Sequence, residues 1–455
     1  MRLIARYAKD LKDSYEVVTV YDGKIQREIL SKKNPHLQSI TNTHPSANWF
    51  ERKIHDDFGI VIENSSDTRA LVHQERFPLG IYPMRKSFKD KEINFSAYRP
   101  YDYEVVKGDG VFQVSVGPIH AGIIEPGHFH FSQAGEAMLH QEVRHFYKYR
   151  GIEKMLEGKT LFEAKPIIER ISGNSSVAYQ LAWGDIVSQA CDTQIPVTLQ
   201  KWHALLLEME RIIHHLTDLG FIPNDAGFGA ALAFCSRLSE EGRRVFYSIS
   251  GHRFGFGSIG FEKNKFDKDM VEKWLDSLSK EIDFFQEWIL DIPSLWDRFD
   301  TTGTLTHANA LKYDSVGVVA RASGIGIDRR ENDFYHQFGF VKETHTSGDV
   351  AARFLLRIKE VKNSILMMKN FLDEDIGTFD LPPVKDGEYM SFAEGALGEL
   401  FMAIDIKEGV IERFFVRDPS FMNWQVLHTM MLKDIIADFP LINKSCDLSY
   451  AGNDL

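Results

Sequence analysis

Two hydrophobic periodicities alternate along this chain, and each predicts a different kind of element. Tyr15 to Tyr21 mixes β-branched and aromatic residues and stops at Asp22-Gly23, which reads as a strand closed by a turn. Asn48 to Phe58 has the apolar spacing of a short helix, so residues 1 to about 95 read as a small α/β unit. The charged and polar stretch Lys86 to Pro100 supplies its boundary. Phe112, Val114 and Val116 then alternate up to Gly117-Pro118, and His128-Phe129-His130-Phe131 repeats that alternation. From Met138 onward the pattern predicts a helical period. The clearest helix covers Leu199 to Leu219, with Trp202, Leu206, Met209, Ile213 and Leu216 on one side and Gly220 and Pro223 beyond its expected end. Further helices are predicted near 176–190, 229–247, 268–290 and 349–372. Long helices joined by short connections imply a bundle. Strand-like alternation returns from Leu400 to Phe415, followed by a predicted helix from Trp424 to Ile436. The fold class expected is α+β: a small N-terminal α/β domain, then a mainly helical bundle with small peripheral β-sheets.

Composition narrows the function. A chain of 455 residues with 44% hydrophobic content can bury a large core and divides into two or three domains. A formal charge of -12 disfavours an extended nucleic-acid surface, and no basic aromatic stripe appears. The three cysteines, Cys191, Cys235 and Cys446, form no Cys-x-x-Cys pair, which points to a reducing compartment without a disulfide framework. No signal pattern and no charge-free apolar run of about 18 residues is present, so the expectation is a soluble chain that can still dock on a membrane complex. The glycine-rich stretch Gly251 to Gly257 has neither dinucleotide nor phosphate-loop spacing, which argues against NAD or ATP. No serine sits in a nucleophile elbow.

Several segments carry a resemblance. His44-Pro-Ser-Ala-Asn-Trp-Phe-Glu-Arg-Lys-Ile-His-Asp-Asp-Phe-Gly59 resembles the signature of the 30-kilodalton subunit of respiratory complex I. Gly117-Pro-Ile-His-Ala-Gly-Ile-Ile-Glu-Pro-Gly-His-Phe129 resembles the first segment of the large subunit of membrane-bound, energy-converting (group 4) nickel-iron hydrogenases. Arg150-Gly-Ile-Glu153, Arg321 to Arg330, Asp418-Pro-Ser-Phe421 and the tail from Ile436 continue that match. Their order resembles a fused 30-kilodalton and 49-kilodalton pair, as in formate-hydrogenlyase large subunits. The resemblance implies a 30-kilodalton-like domain over 1–95 and a hydrogenase large-subunit or 49-kilodalton-like domain over 96–455.

In a working hydrogenase of this kind, two Cys-x-x-Cys pairs hold nickel and iron, soft metals suited to thiolates. The matching positions here are Ser172 and Ser175 in the first pair and Ser449 and Gly452 in the second. The family's arginine above the metal is matched by Leu397, within Glu394-Gly-Ala-Leu-Gly-Glu399. The resemblance therefore implies no metal bound by this chain and no competent nickel-iron hydrogenase by itself. The 49-kilodalton subunit of complex I also lacks those cysteines and helps form a quinone headgroup pocket with a histidine and a tyrosine. His120 fits the first histidine of that pattern, Ile124 stands at the second, and the tyrosine has no clear counterpart.

The expected function is a core subunit of a complex I or hydrogenase-related respiratory complex that contributes a quinone-like acceptor pocket and proton coupling; the alternative is a noncatalytic structural subunit. His120, Ser172, Ser175 and Ser449 are the candidate acceptor contacts. His120, Glu125, His128, Glu153, Arg321 and Asp328 are the candidate catalytic and proton-transfer groups. His128 and His130 share a strand face, Glu125 and Glu153 fit either a proton relay or an ion pair, and Arg321, Asp328 and Arg330 read as mutual charge pairs. His214 and His215, about 100° apart on the strongest helix, read as interface or solvent residues. The resemblance implies a small iron-sulfur partner, like the hydrogenase small subunit or the 20-kilodalton subunit of complex I, which carries the cluster. It also implies integral membrane proton-pumping or antiporter-like partners, no nucleic acid, and a peripheral position on the cytoplasmic side of the membrane.

Overall fold

The computed structural model describes residues 1–89, 93–120, 124–261, 266–372 and 379–455. Residues 90–92 of the expected boundary stretch and 121–123 of the first hydrogenase-like segment lie outside the described residues. The observed architecture is α+β: an N-terminal sheet and helix, then a largely helical core with two further small sheets.

Strands β1 (Leu3–Asp10), β2 (Ser14–Tyr21) and β3 (Lys24–Ser31) form an antiparallel sheet in that order. β1 is buried along its whole length because helix α1 (Ala47–Phe58) packs on it and Tyr7 stacks on Phe415 at 4.4 Å between centroids. Helix α1 ends at Gly59, which has φ 69° and whose missing Cβ would lie 2.5 Å from the Tyr82 ring. A short parallel pair, β4 (His36–Gln38) and β5 (Val61–Glu63), sits beside it.

Strands β6 (Val111–Val116), β7 (His128–Ala134) and β8 (Ala137–Arg144) form a second antiparallel sheet. The helical period expected from Met138 is not found: that stretch is β8, with Met138 buried and Leu139 exposed in strand alternation. Pairing with β7 across a tight turn overrides the local pattern.

Short helices α2 (Ile152–Leu156) and α3 (Leu161–Ile168) lead into the bundle of α4 (Ser176–Ala190), α5 (Val197–Asp225), α6 (Gly229–Ser250) and α7 (Lys268–Leu290). Helix α5 runs through Gly220 instead of stopping there. A Cβ at Gly220 would meet Cys235 Cβ at 3.1 Å, so this glycine permits close approach of α6 and is no terminator. Four short helices, α8 (Pro293–Phe299), α9 (His307–Lys312), α10 (Gly317–Ala322) and α11 (Asp333–His336), precede α12 (Val350–Phe371), which packs on α5.

The third sheet is β9 (Gly387–Gly395), β10 (Gly398–Lys407) and β11 (Val410–Arg417), with β10 central. The continuous helix expected from Trp424 to Ile436 is broken into a 3₁₀ turn at Trp424–Val426, a short helix Leu427–Met431 and a second 3₁₀ turn at Ile436–Asp438. Trp424, Val426, Leu427, Met430 and Met431 are all buried, so packing on several sides decides the local geometry. Among the described residues, no helix is long and apolar enough to cross a membrane.

Candidate functional site

The loop before α4 and the C-terminal segment meet at two serines. Ser172 Oγ donates to Asn174 Oδ1 at 2.6 Å and lies 2.9 Å from Ser449 Oγ, so the Ser449 hydroxyl supplies the proton of that second contact. Ser449 Oγ in turn accepts from Gly452 N at 2.9 Å, capping the last short helix. Arg150 clamps the same two segments: its Nη2 donates to the carbonyls of Ile171 and Ala451, both at 2.8 Å. Ser175 is buried at the start of α4, and its amide donates to Ser172 O at 3.2 Å.

The fourth position of the expected metal set is filled. A Cβ at Gly452 would lie 2.3 Å from Asp418 Oδ2. That carboxylate accepts from Tyr179 Oη at 2.7 Å and Ser420 N at 2.8 Å, and burial raises its pKa. Nickel and iron bridged by thiolates do not fit three hydroxyls and a glycine packed against an aspartate. The cysteines Cys191, Cys235 and Cys446 are all buried and free, with Cys446 beside Met430.

The first hydrogenase-like segment approaches from the β6–β8 sheet. His128 and His130 do share a face: Tyr103 Oη is 2.9 Å from His128 Nδ1, and the Tyr103 ring stacks on His130 at 4.6 Å. His130 Nδ1 also meets Ser115 Oγ at 3.0 Å. Burial lowers the pKa of both histidines. Glu125 pairs with Lys148 and accepts from Ala451 N at 2.9 Å, so it ties this segment to the C-terminal tail.

His120 belongs to a different group. Its ring lies 5.7 Å from Phe129 and 6.5 Å from Tyr450, between centroids. His145, buried beneath them, is 5.3 Å from Tyr450 and 4.2 Å from Trp424. Gly127 makes the convergence possible, since a Cβ there would be 2.5 Å from Tyr450 Cε1 and 2.9 Å from His145 Cε1. His120 Nε2 and both ring nitrogens of His145 are buried without a hydrogen-bond partner among the described residues. The Tyr450 hydroxyl faces Asn443 but completes no hydrogen bond of ordinary geometry. Burial holds His145 neutral, with its pKa pushed down to about 3. Buried polar atoms are normally paired, so this cluster is the candidate contact surface of the site. The sequence pattern does not single out Tyr450, which stands one residue past Ser449, and it hides His145 behind a stretch that reads as helical.

Glu153 sits in one buried ion network, and Arg321 and Asp328 share another. Glu153 Oε2 meets Lys53 at 3.0 Å and both Arg413 Nη atoms at 3.2 Å, joining α1 to β11. Burial raises its pKa, but the charges of Lys53 and Arg413 outweigh that effect and hold it below the ordinary value. Arg321 meets Glu360 at 2.7 Å, Glu394 at 2.9 Å and Asp328 at 3.4 Å, and Asp328 pairs with Arg330 at 2.7 Å. His214 and His215 are buried, contrary to the solvent or interface position expected of them. They point apart as the helical angle requires: His215 bonds Glu360 at 2.9 Å, whereas His214 meets Asp447 at 2.8 Å and Asp218 at 3.6 Å.

Among the described residues, His214, Asp218 and Asp447 are the group whose donor atoms could hold a cation. Both carboxylates are already matched, Asp218 by Arg357 at 2.7 Å and Asp447 by Lys444 at 3.2 Å. One turn away, Glu210 accepts from Val177 N at 2.6 Å and Ala178 N at 3.2 Å, and burial pushes its pKa up to about 8. Its folded-state value exceeds the unfolded one, so its stabilising contribution is complete below about pH 4.3 and is lost as pH rises through 8. Glu210→Gln keeps an acceptor and removes the titration. Relative to this variant, the native chain loses stability at about 1.4 kcal/mol per pH unit between roughly pH 5 and 8. Urea midpoints of the two proteins across that range check this, and a parallel pH dependence contradicts it.

Comparison with known proteins places the chain among its relatives. The model of the respiratory-chain NADH dehydrogenase 30 Kd subunit matches residues 5–93, and that of the 49 Kd subunit matches 225–377. Formate hydrogenlyase subunit 5 of Escherichia coli is 28% identical over 92% of this chain and 77% of its own length. An NADH-quinone oxidoreductase subunit from Dehalococcoides mccartyi is 28% identical over 74% of this chain and 96% of its own length. A chain of the membrane-bound sulfane sulfur reductase, an archaeal respiratory membrane complex, shares the fold with a TM-score of 0.71 at 20% identity, covering 76% of this chain and 99% of that one. The chain belongs to the superfamily of complex I and group 4 hydrogenases, as a large-subunit homologue with fused 30- and 49-kilodalton-type parts and no cysteine set for a nickel-iron centre.

Proposed function

We propose that this protein is the metal-free large subunit of a respiratory membrane complex and that its acceptor pocket centres on His120 and Tyr450. The unpaired polar atoms of His120, His145 and Tyr450, gathered beside the Ser172–Ser449 contact, carry this reading. A quinone-like headgroup has two carbonyl oxygens, and a tyrosine hydroxyl with an imidazole N–H supplies the two donors they need while the rings pack on its faces. Tyr450 thereby takes the role whose residue the first segment and the serine loop lack. Glu125, anchored to Ala451, and His128, next in sequence to Phe129, are the candidate proton-supply groups for that pocket.

The chain carries no cluster ligands, so electrons arrive from a small iron-sulfur partner. Membrane antiporter-like subunits are the second kind of partner, and the chain lies peripherally on the cytoplasmic face. Residues 1–95 form the 30-kilodalton-like unit and 96–455 the hydrogenase-like unit. Glu153, Arg321 and Asp328, each paired with buried charges of opposite sign, hold the units and helices in position.

A noncatalytic coupling role is the second reading, favoured by the Arg150 clamp and the serine contact, which close the old metal cleft. Quinone-dependent turnover of the purified membrane complex separates the two. Tyr450→Phe and His120→Gln each lower turnover by about 10²-fold or more while complex assembly is retained, as expected for loss of a proton donor. Unchanged turnover in both variants rejects the acceptor pocket.

A further inference from the structure

A cavity of about 180 Å³ lies on the far side of the serine loop, between α5, α6 and the C-terminal segment. Gly173 and Asn174 form one wall, but Ser172, Ser175 and Ser449 do not line it. Three phenyl rings, Phe221, Phe246 and Phe254, together with Ile213, supply its apolar surface. Its charges are matched almost completely. Asp447 is held by His214 and Lys444, Asp218 by Arg357, and Arg253 is taken by Glu240 at 2.7 Å. Glu210 is protonated at neutral pH, since burial carries its pKa to about 8.

Arg243 is the charge left over. It is half-buried, and its guanidinium donates to Thr217 Oγ1 at 3.2 Å while making no ion pair among the described residues. Burial, together with the neighbouring Arg253 charge, pushes its pKa down, and the Glu240 charge offsets this only in part. A divalent cation in this cavity would face Arg243, Arg253 and Lys444 together, so the site disfavours one.

We propose that this cavity binds a small anion with a flat apolar body, of the aromatic carboxylate class. The planar guanidinium of Arg243 matches a carboxylate through two parallel hydrogen bonds, and the phenyl rings receive the ring of the ligand. The site is separate from the proposed acceptor pocket and does not depend on it. Asn174 joins the two, because its side-chain oxygen holds the Ser172 hydroxyl while its own residue borders the cavity.

The test uses the full-length protein and three probes of one shape: benzoate, neutral benzamide and cationic benzylammonium, each titrated by calorimetry. Benzoate binds saturably and at least tenfold more tightly than the other two. Arg243→Gln removes that preference, Arg243→Lys restores part of it, and Arg244→Gln, on the exposed side of α6, leaves it intact. Circular dichroism and urea midpoints establish that the variants are folded. Equal binding of benzamide, preference for benzylammonium, unchanged binding in a folded Arg243→Gln protein, or no saturable binding of any probe overturns the proposal.

Discussion

Gly452→Cys destabilises this protein by about 3–5 kcal/mol and recovers no metal binding, even when Ser172, Ser175 and Ser449 are also made cysteine. The new Cβ would stand 2.3 Å from Asp418 Oδ2, inside any real contact distance. Relief requires Asp418 to move, and that carboxylate is fully buried with the Tyr179 hydroxyl and Ser420 amide donating to it. Overpacking costs about 1–3 kcal/mol, and losing a hydrogen bond to a buried charged group costs about 1.5–3 kcal/mol more. Smaller losses follow at the serines, because a thiol is a weak donor and Ser449 Oγ holds both the Ser172 hydroxyl and the Gly452 amide. Urea unfolding of Gly452→Cys measures the stability term, and nickel analysis of the fourfold cysteine variant measures the metal term. Near-native stability with stoichiometric nickel would mean that Asp418 yields easily and that the cleft still has its ancestral shape.

Arg321→Met, similar in reach but uncharged, lowers stability by about 3–5 kcal/mol at neutral pH. The guanidinium is fully buried and compensates Glu360, Glu394 and Asp328 together. Removing one partner of a buried ion network strands the others without water, which is far costlier than replacing a whole pair by apolar groups. Burial already holds the Glu394 carboxyl above the usual carboxylate range. Without Arg321 it takes a proton more readily still, so the deficit shrinks as pH falls through the mildly alkaline range to about 7, where the native Glu394 itself titrates, and is level below that. Adding Glu394→Gln to Arg321→Met therefore recovers part of the loss, and a double-mutant cycle reads that coupling directly. A deficit below about 1 kcal/mol, independent of pH, would show that solvent reaches these carboxylates.

The elements with strong, single-sided periodicity were legible from the chain alone. Helix α4 spans the predicted 176–190, α7 spans the predicted 268–290, and the first strand segment falls within a residue of expectation. The faces of His128 and His130 were also legible, because strand alternation is a local property. Errors came where a long-range contact overrode the local signal. Met138 to Arg144 pairs with β7, Gly220 serves α6 packing, and the Trp424 segment is bent around a core enclosed on several sides.

The same division runs through the candidate site. The chain on its own establishes that thiolates are missing from the four metal positions, because that is a statement about residue identity. It also establishes that two helical histidines cannot serve one partner, since the helix angle fixes their divergence. The tertiary structure alone brings Ser172 to Ser449 across 277 residues, sets Asp418 where a cysteine would need room, and joins His120 to Tyr450. Local periodicity encodes which way a side chain points, but not which distant segment it meets. Those meetings depend on close packing of surfaces far apart in sequence, and here a glycine, an orphaned imidazole and an unmatched guanidinium gain their meaning only from what surrounds them.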